Sequence, residues 1–243
     1  MSGYKGFTFG DNDEHVGKKG NRWKGETGQT YRMSFIMWPG LDAGKPDLDA
    51  IGPDFRGTMA HYVDKVGYVV NKGPEFTKLA GGPPRSRIGT AVVIWPTNKD
   101  GGLDTDKVQK GECDVMAWLF SDDKYKSLKM IHKEFHFGMH DITVVCSDTQ
   151  YQKLTFSPCK ENLFRKFYES DKDKGKEIAS NILKNAQEVA GGIDNEVGRD
   201  LTIEQLVQAM NGQSPSAAKG TTGSPDMAVT GDIDDLVGDI LDE

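Results

Sequence analysis

The run at residues 31–38, Tyr-Arg-Met-Ser-Phe-Ile-Met-Trp, restricts the fold more than any other stretch, because each odd position in it is apolar or aromatic. A two-residue period puts one side of an extended segment into a core, whereas a helix would scatter the same positions around its axis. Runs of similar character at 59–70, 88–95, 113–120, 142–146 and 151–156 predict further strands, the last two joined as a hairpin across Ser147-Asp148-Thr149-Gln150. The opposite period occurs at 122–136. There Tyr125, Leu128, Ile131 and Phe135 are spaced by three and four, and Ser121 or Asp122 precedes them as a cap, which predicts an amphipathic helix. Helices are also predicted at 174–190 and 201–210, the second capped by Asp200.

The expected class is mainly β with added helices. Five or six short strands with one helix ahead of the closing hairpin suit a small, curved, five-stranded β-barrel of the OB-fold type, and a β-sandwich with a decorating helix suits the same periodicity. The 243 residues suffice for one ordinary domain with tails. No run reaches the roughly eighteen apolar residues of a membrane span, and residues 1–6 lack the pattern of a secretion signal. Cys113, Cys146 and Cys159 are too few and too far apart for a disulfide framework or a four-cysteine zinc site. A soluble intracellular protein without a cofactor is expected.

The net charge of −7 is unevenly divided. Residues 211–243 hold one base against seven acids, while residues 65–99 hold six bases against one acid. Seven glycines fall in the first 28 residues, and Gly, Ser, Pro, Thr and Ala dominate after Asn211. Three parts are therefore expected: a flexible Gly-rich basic arm at 1–28, a core with a helical extension at 29–210, and a flexible linker with an acidic tail at 211–243. Such asymmetry points to a polyanionic ligand for the body and an interaction role for the tail.

By the two-residue period Arg85, Arg87, Gly89, Ala91, Val93 and Trp95 share one strand face, with Arg32, Ser34 and Trp38 on the matching face of the first strand. Tyr62 and Tyr68, with Lys65 and Lys72, repeat the mixture of rings and cations. Single-stranded nucleic acid needs this combination, since phosphates require charge and unpaired bases require a surface to stack on. The expected phosphate contacts are Lys24, Arg32, Lys65, Lys72, Arg85, Arg87 and Lys99, and the expected stacking residues are Trp38, Tyr62, Tyr68 and Trp95. The two indoles fit core positions beside Pro39 and Pro96 equally well. The reading requires that guanidinium groups and rings face one groove.

In the tail, Ile233, Leu236, Val237, Ile240 and Leu241 recur at helical spacing, with Asp234, Asp235, Asp239 and Asp242 around them. This segment is expected to dock on partner proteins or to fold back onto the basic face. His132, His136 and His140 are spaced by four, but Gly138 interrupts them and no acid or thiol completes a metal set. The chain has no phosphate-binding loop, serine elbow or His-Glu-x-x-His, and Asp104, Asp106, Asp122 and Asp123 suit loops and caps, so a non-enzymatic protein is expected.

Trp23-Lys24 precedes Gly28-Gln29-x-x-Arg32-x-x-Phe35 and Pro39; Arg85-x-Arg87 leads into Ala91-Val92-Val93-Ile94; residues 125–131 precede Asp141-Ile142-Thr143-Val144-Val145-Cys146; and Glu161-Asn162-Leu163-Phe164-Arg165-Lys166 follows. With these marks and its acidic tail the sequence resembles the T4-type phage single-stranded DNA-binding, or helix-destabilising, proteins. The resemblance implies an OB-fold core with C-terminal helices and a disordered acidic tail. It implies sequence-independent binding of single-stranded DNA in the host cell cytoplasm during phage DNA replication, recombination and repair, protecting the strand and melting hairpins. The tail would recruit replication and recombination proteins such as a polymerase, a helicase loader or a recombinase, and copies would associate along the strand. In that family a His and three Cys hold zinc between the second and third strands. Here His61 stands near that place but residues 66–84 contain no cysteine, so no zinc is carried over. The alternative is a replication or recombination adaptor that works through its tail and binds nucleic acid weakly.

Overall fold

The computed structural model describes residues 22–148 and 153–212. Eight strands among them form one sheet: β1 (Arg22–Trp23), β2 (Thr30–Phe35), β3 (Arg56–Val63), β4 (Gly67–Val70), β5 (Arg85–Trp95), β6 (Asp114–Phe120), β7 (Ile142–Cys146) and β8 (Leu154–Pro158). Six α-helices accompany them: α1 (Pro74–Ala80), α2 (Thr105–Lys110), α3 (Asp122–Glu134), α4 (Leu163–Tyr168), α5 (Asp173–Val197) and α6 (Ile203–Met210). The fold is mixed α/β rather than mainly β.

The sheet is organised by β5, whose 11 residues are long enough to serve two partners end to end. Along one edge β3 takes the first half, from Ala60↔Arg85 to Arg56↔Gly89, and β2 takes the second, from Phe35↔Val92 to Arg32↔Trp95. β6 pairs along the other edge, from Ile88↔Phe120 to Ile94↔Asp114. β7 adds to β2, β8 to β7, and β1 runs parallel to β6, so the path ends at β1 and β8 without closing. The closed five-stranded barrel expected from the sequence is not formed: the sheet is open between β1 and β8, and the long helix α5 packs against β5.

α5 presents Ile178, Ile182, Ala186, Val189, Ile193 and Val197 at spacings of three and four, and all are buried. At Gly89 a Cβ would lie 2.7 Å from Leu119 Cδ2 and 2.9 Å from Ile193 Cγ2, so the helix seats here because the strand carries no side chain. The main core holds Phe35, Trp38, Trp95, Trp118, Phe137 and Phe164. A smaller core under the β3–β4 hairpin holds Val63, Val66, Val69, Phe76, Leu201 and Leu206, drawing in α1 and α6.

The run 59–70, expected as one strand, folds back on itself. Lys65 adopts a φ of 62° and Gly67 a φ of 92°, and this left-handed backbone reverses the chain between β3 and β4. The outer edge of β4 is covered after α5, where Arg199 N donates to Tyr68 O at 2.8 Å and Val70 N to Arg199 O at 3.0 Å. No helix among the described residues is long and apolar enough to cross a membrane. The arm through residue 21, residues 149–152 and the tail from 213, including its docking segment Ile233, Asp234, Asp235, Leu236, Val237, Asp239, Ile240, Leu241 and Asp242, lie outside the described residues.

Candidate nucleic-acid interface

The groups expected to share one groove are divided by the length of β5. Arg32, Trp95 and Lys99 belong to its far end, roughly 30 Å from Arg85 at the rise of an extended strand. Between them Ala91, Val93 and Trp95 lie buried under the helices, so that face holds no groove. Trp38, expected to stack bases, lies past the end of β2, is buried, and donates its Nε1–H to Phe35 O at 2.8 Å. Trp95 is also buried, donates to Ser34 Oγ at 2.7 Å and stacks on Phe167. Neither indole has a face to offer a base.

Arg32 is likewise committed. Its Nε donates to Asp141 Oδ2 at 2.9 Å and its Nη2 to Glu161 O at 3.1 Å. Asp141 is fully buried and also accepts from Ser34 Oγ and from Leu163 N at 3.2 Å. Burial pushes this carboxyl up to about 6, with the bonds from Ser34 and Arg32 pulling the other way. The cluster ties β2 to the start of β7 and to the N-terminus of α4, so Arg32 is a counter-ion of the fold and not a phosphate contact. Lys24 is exposed just past β1, the strand that pairs with β6 and not with the β3–β4 hairpin.

At the near end of β5 rings and cations do meet. The register pairs Tyr62 with Tyr68, Ala60 with Val70 and Arg85, and Thr58 with Arg87, which places these residues on one face. Tyr62 is 62% exposed and meets Tyr68 edge to face at 5.2 Å between ring centres. Arg85 is exposed on the strand beside them, and Lys65 is exposed at the hairpin turn. A cleft of about 380 Å³ opens here, between Tyr62, Tyr68 and Arg85 on the sheet and Ala80, Gly82 and Pro83 on the segment leaving α1. Gly81, at a φ of 67°, ends α1 and turns the chain back into β5 to form that wall.

Arg87 supports the cleft and does not line it. Its guanidinium carbon lies 3.4 Å from the centre of the Tyr68 ring, while Nε and Nη2 donate to the carbonyls of Val197 and Glu196, both at 3.1 Å. A cation at the C-terminus of α5 satisfies its open carbonyls and fixes the tyrosine beneath it. Burial pulls this guanidinium down from its usual value, with Tyr68 opposing the shift. Lys72 is ion-paired with Asp200.

The sequence reading missed the contribution of residues 80–83 and of His61 to the cleft. The composition of Gly81-Gly82-Pro83-Pro84 marks a loop ahead of a strand, but nothing local in it shows a wall facing a hairpin.

The three spaced histidines hold loops. His132 Nε2 bonds Ile51 O at 2.8 Å, His136 Nε2 bonds Ala50 O at 2.9 Å, and His140 Nδ1 bonds Cys159 O at 2.9 Å. No group of three His, Cys, Asp or Glu among the described residues is placed to hold a metal ion. Asp104 accepts from Lys107 N at 3.2 Å as a helix cap. Of the other concavities among the described residues, two stand out. One of about 360 Å³ lies between residues 50–55 and α3 and is mostly apolar. One of about 640 Å³ among α2, α4 and α5 carries Lys166, Lys172 and Lys174, with Lys166 paired to Glu161. Neither offers an aromatic as exposed as Tyr62. Comparison with protein-family models, with curated proteins and with solved structures found no match to this chain.

Proposed function

We propose that the chain binds single-stranded DNA without sequence preference, stacking bases on Tyr62 and meeting phosphates with Arg85 and Lys65. The observation that carries this reading is the exposed Tyr62 ring, braced by Tyr68 and standing beside Arg85 at the mouth of an open cleft. Stacking is sequence-tolerant because every base has a π-face, and the cations add a salt-dependent term. Preferential binding to unpaired strands melts hairpins by mass action and needs no nucleotide hydrolysis. The reading extends, with the T4-type resemblance, to an opened OB-type sheet with α3 ahead of the β7–β8 hairpin, and to a replication and recombination role in which the acidic tail recruits protein partners.

The test is fluorescence anisotropy of a dye-labelled oligothymidylate titrated with the protein at two salt concentrations. Binding that weakens with salt, and that unlabelled strands of any sequence compete away, is expected. Absent binding, or binding indifferent to salt, overturns the proposal. The dye belongs on the DNA, because all four tryptophans, Trp23, Trp38, Trp95 and Trp118, are buried and their emission is expected to change little.

A further inference from the structure

The concavity of about 640 Å³ among α2, α4 and the first turns of α5 combines two kinds of surface. Its floor is apolar: Val108, Leu163 and Ile178 are buried there, with Leu103 and Phe167 half-buried beside them. Its rim is basic. Lys166, Lys172 and Lys174 line it and are exposed, against one lining acid, Glu161, which Lys166 already engages at 3.2 Å. Asp171 and Asp173 alternate with the last two lysines in sequence, but neither lines the cavity. An apolar floor under an excess of positive charge suits a segment that is apolar on one face and acidic around it.

This chain contains such a segment at 232–243, beyond the described residues. At about 3.6 residues per turn, the stripe of Ile233, Leu236, Val237, Ile240 and Leu241 is bordered by Asp234 on one side and by Asp232 and Asp239 on the other. A segment this short gains helical order only against an apolar surface. The other concavities suit it less. No leucine, isoleucine or valine lines the hairpin cleft, and in the groove along α3 the lining charges, Asp54 and Lys129, cancel. Reach is sufficient. The chain enters α6 just beyond the C-terminus of α5, and the cavity lies at the other end of that helix, about 37 Å away. Residues 213–231 can extend over about 60 Å. We infer that residues 232–243 dock within their own chain in this cavity, with the apolar stripe on Phe167 and Ile178 and the aspartates on Lys172 and Lys174. A tail docked at this end of α5 leaves Arg85 and Lys65 open to phosphate and covers the residues expected to meet partner proteins. Only the undocked tail can then compete for those two cations. The inference does not depend on the hairpin cleft binding DNA.

The test is cross-linking of the full chain with a carbodiimide, which joins a carboxylate to a touching amine as an amide with loss of water. Peptide mapping by mass spectrometry is expected to find the acids of 232–243 joined chiefly to Lys166, Lys172 and Lys174. Links that are absent, that fall chiefly on Lys65 or Lys72 at the hairpin or on Lys129 or Lys133 along α3, or that spread evenly over the exposed lysines overturn the inference. An equal mixture of nitrogen-15-labelled and unlabelled protein is expected to give links within one label only; mixed-label links would make the tail of a second copy the occupant and overturn the assignment to the same chain. Leu236→Asp combined with Ile240→Asp removes the stripe while adding charge, and is expected to lower the yield of these links about tenfold. Links that persist in that variant would reflect attraction between charges alone and overturn docking on the apolar floor. No outcome involves oligothymidylate, so failure here leaves the proposed function standing, and absent DNA binding leaves this inference standing.

Discussion

Tyr62 is exposed enough that truncation costs the fold little: Tyr62→Ala is expected to change the unfolding free energy by less than about 1 kcal/mol while removing about 1–3 kcal/mol of single-strand affinity. Urea denaturation and anisotropy read the two quantities separately, and equal losses in both would make the ring a structural one. Asp141 behaves in the opposite way, since it is buried and its chemistry is internal. Its carboxyl is raised by burial to about 6 in the folded chain, against about 3.9 when unfolded. The folded state therefore holds this proton more tightly. The stability it contributes is whole below about pH 4 and is lost as the pH rises through 6, a difference of roughly 2–3 kcal/mol. Urea denaturation between pH 4 and pH 7 is expected to show that fall, and Asp141→Asn should flatten it; parallel profiles for the two proteins would contradict the raised value. Residue types were legible here and commitments were not. The sequence shows an arginine at position 32 on a strand, but its counter-charge stands 109 positions away. In the same way Trp38 reads as the next member of an alternating run, although the strand ends at Phe35 and the indole turns inward to that residue's carbonyl.

The elements with a sustained period were readable: α3, α5 and the strands β5, β6 and β7 all fall within or overlap the runs that predicted them. Three short helices, α1, α2 and α4, were not, because six or seven residues contain too few turns for a period to show. Their end signals were nonetheless present, with Pro74 opening α1, Gly81 closing it, and Asn162 accepting from Arg165 N at 2.9 Å to cap α4. What periodicity could not show is which element covers which face. Gly89, Ala91 and Val93 look like space left for a nucleic-acid strand, whereas the space is filled by α5, about a hundred residues further along. Gly89→Ala tests this packing directly. The added methyl would lie within 3.0 Å of Leu119, Ile193 and Val197 together, from two elements that cannot both retreat. A destabilisation of about 1–3 kcal/mol in urea denaturation is expected, with oligothymidylate affinity unchanged because the cleft lies beyond Arg85. An unaffected midpoint would mean that α5 is not seated on β5 as described.

At the scale of the whole molecule, geometry reduces the number of charges available to a bound strand. The sequence offered seven cations, which at about 0.7 per neutralised phosphate for single strands would give a slope of log affinity against log salt near −5. Arg32, Lys72 and Arg87 are engaged by Asp141, by Asp200 and by the end of α5, and neither Lys24 nor Lys99 lines the cleft. Arg85 and Lys65 remain beside Tyr62, so a slope of about −1.5 is expected. Lys65→Asn is expected to bring it to about −0.7 with little loss of stability, since asparagine tolerates the left-handed backbone at that turn better than lysine. A slope near −5 would place the strand across a much wider surface than the hairpin. On the proposed function the tail enters the same balance from the other side: residues 211–243 carry one base against seven acids, a charge that would compete with phosphate for the same two cations. Removing residues 226–243 is expected to leave oligothymidylate binding intact or tighter and to abolish binding of protein partners. The gain should shrink as salt rises, since the Debye length is about 10 Å at 0.1 M and falls to about 3 Å at 1 M. Truncation that weakens binding at every salt concentration would instead make the tail part of the DNA-binding surface.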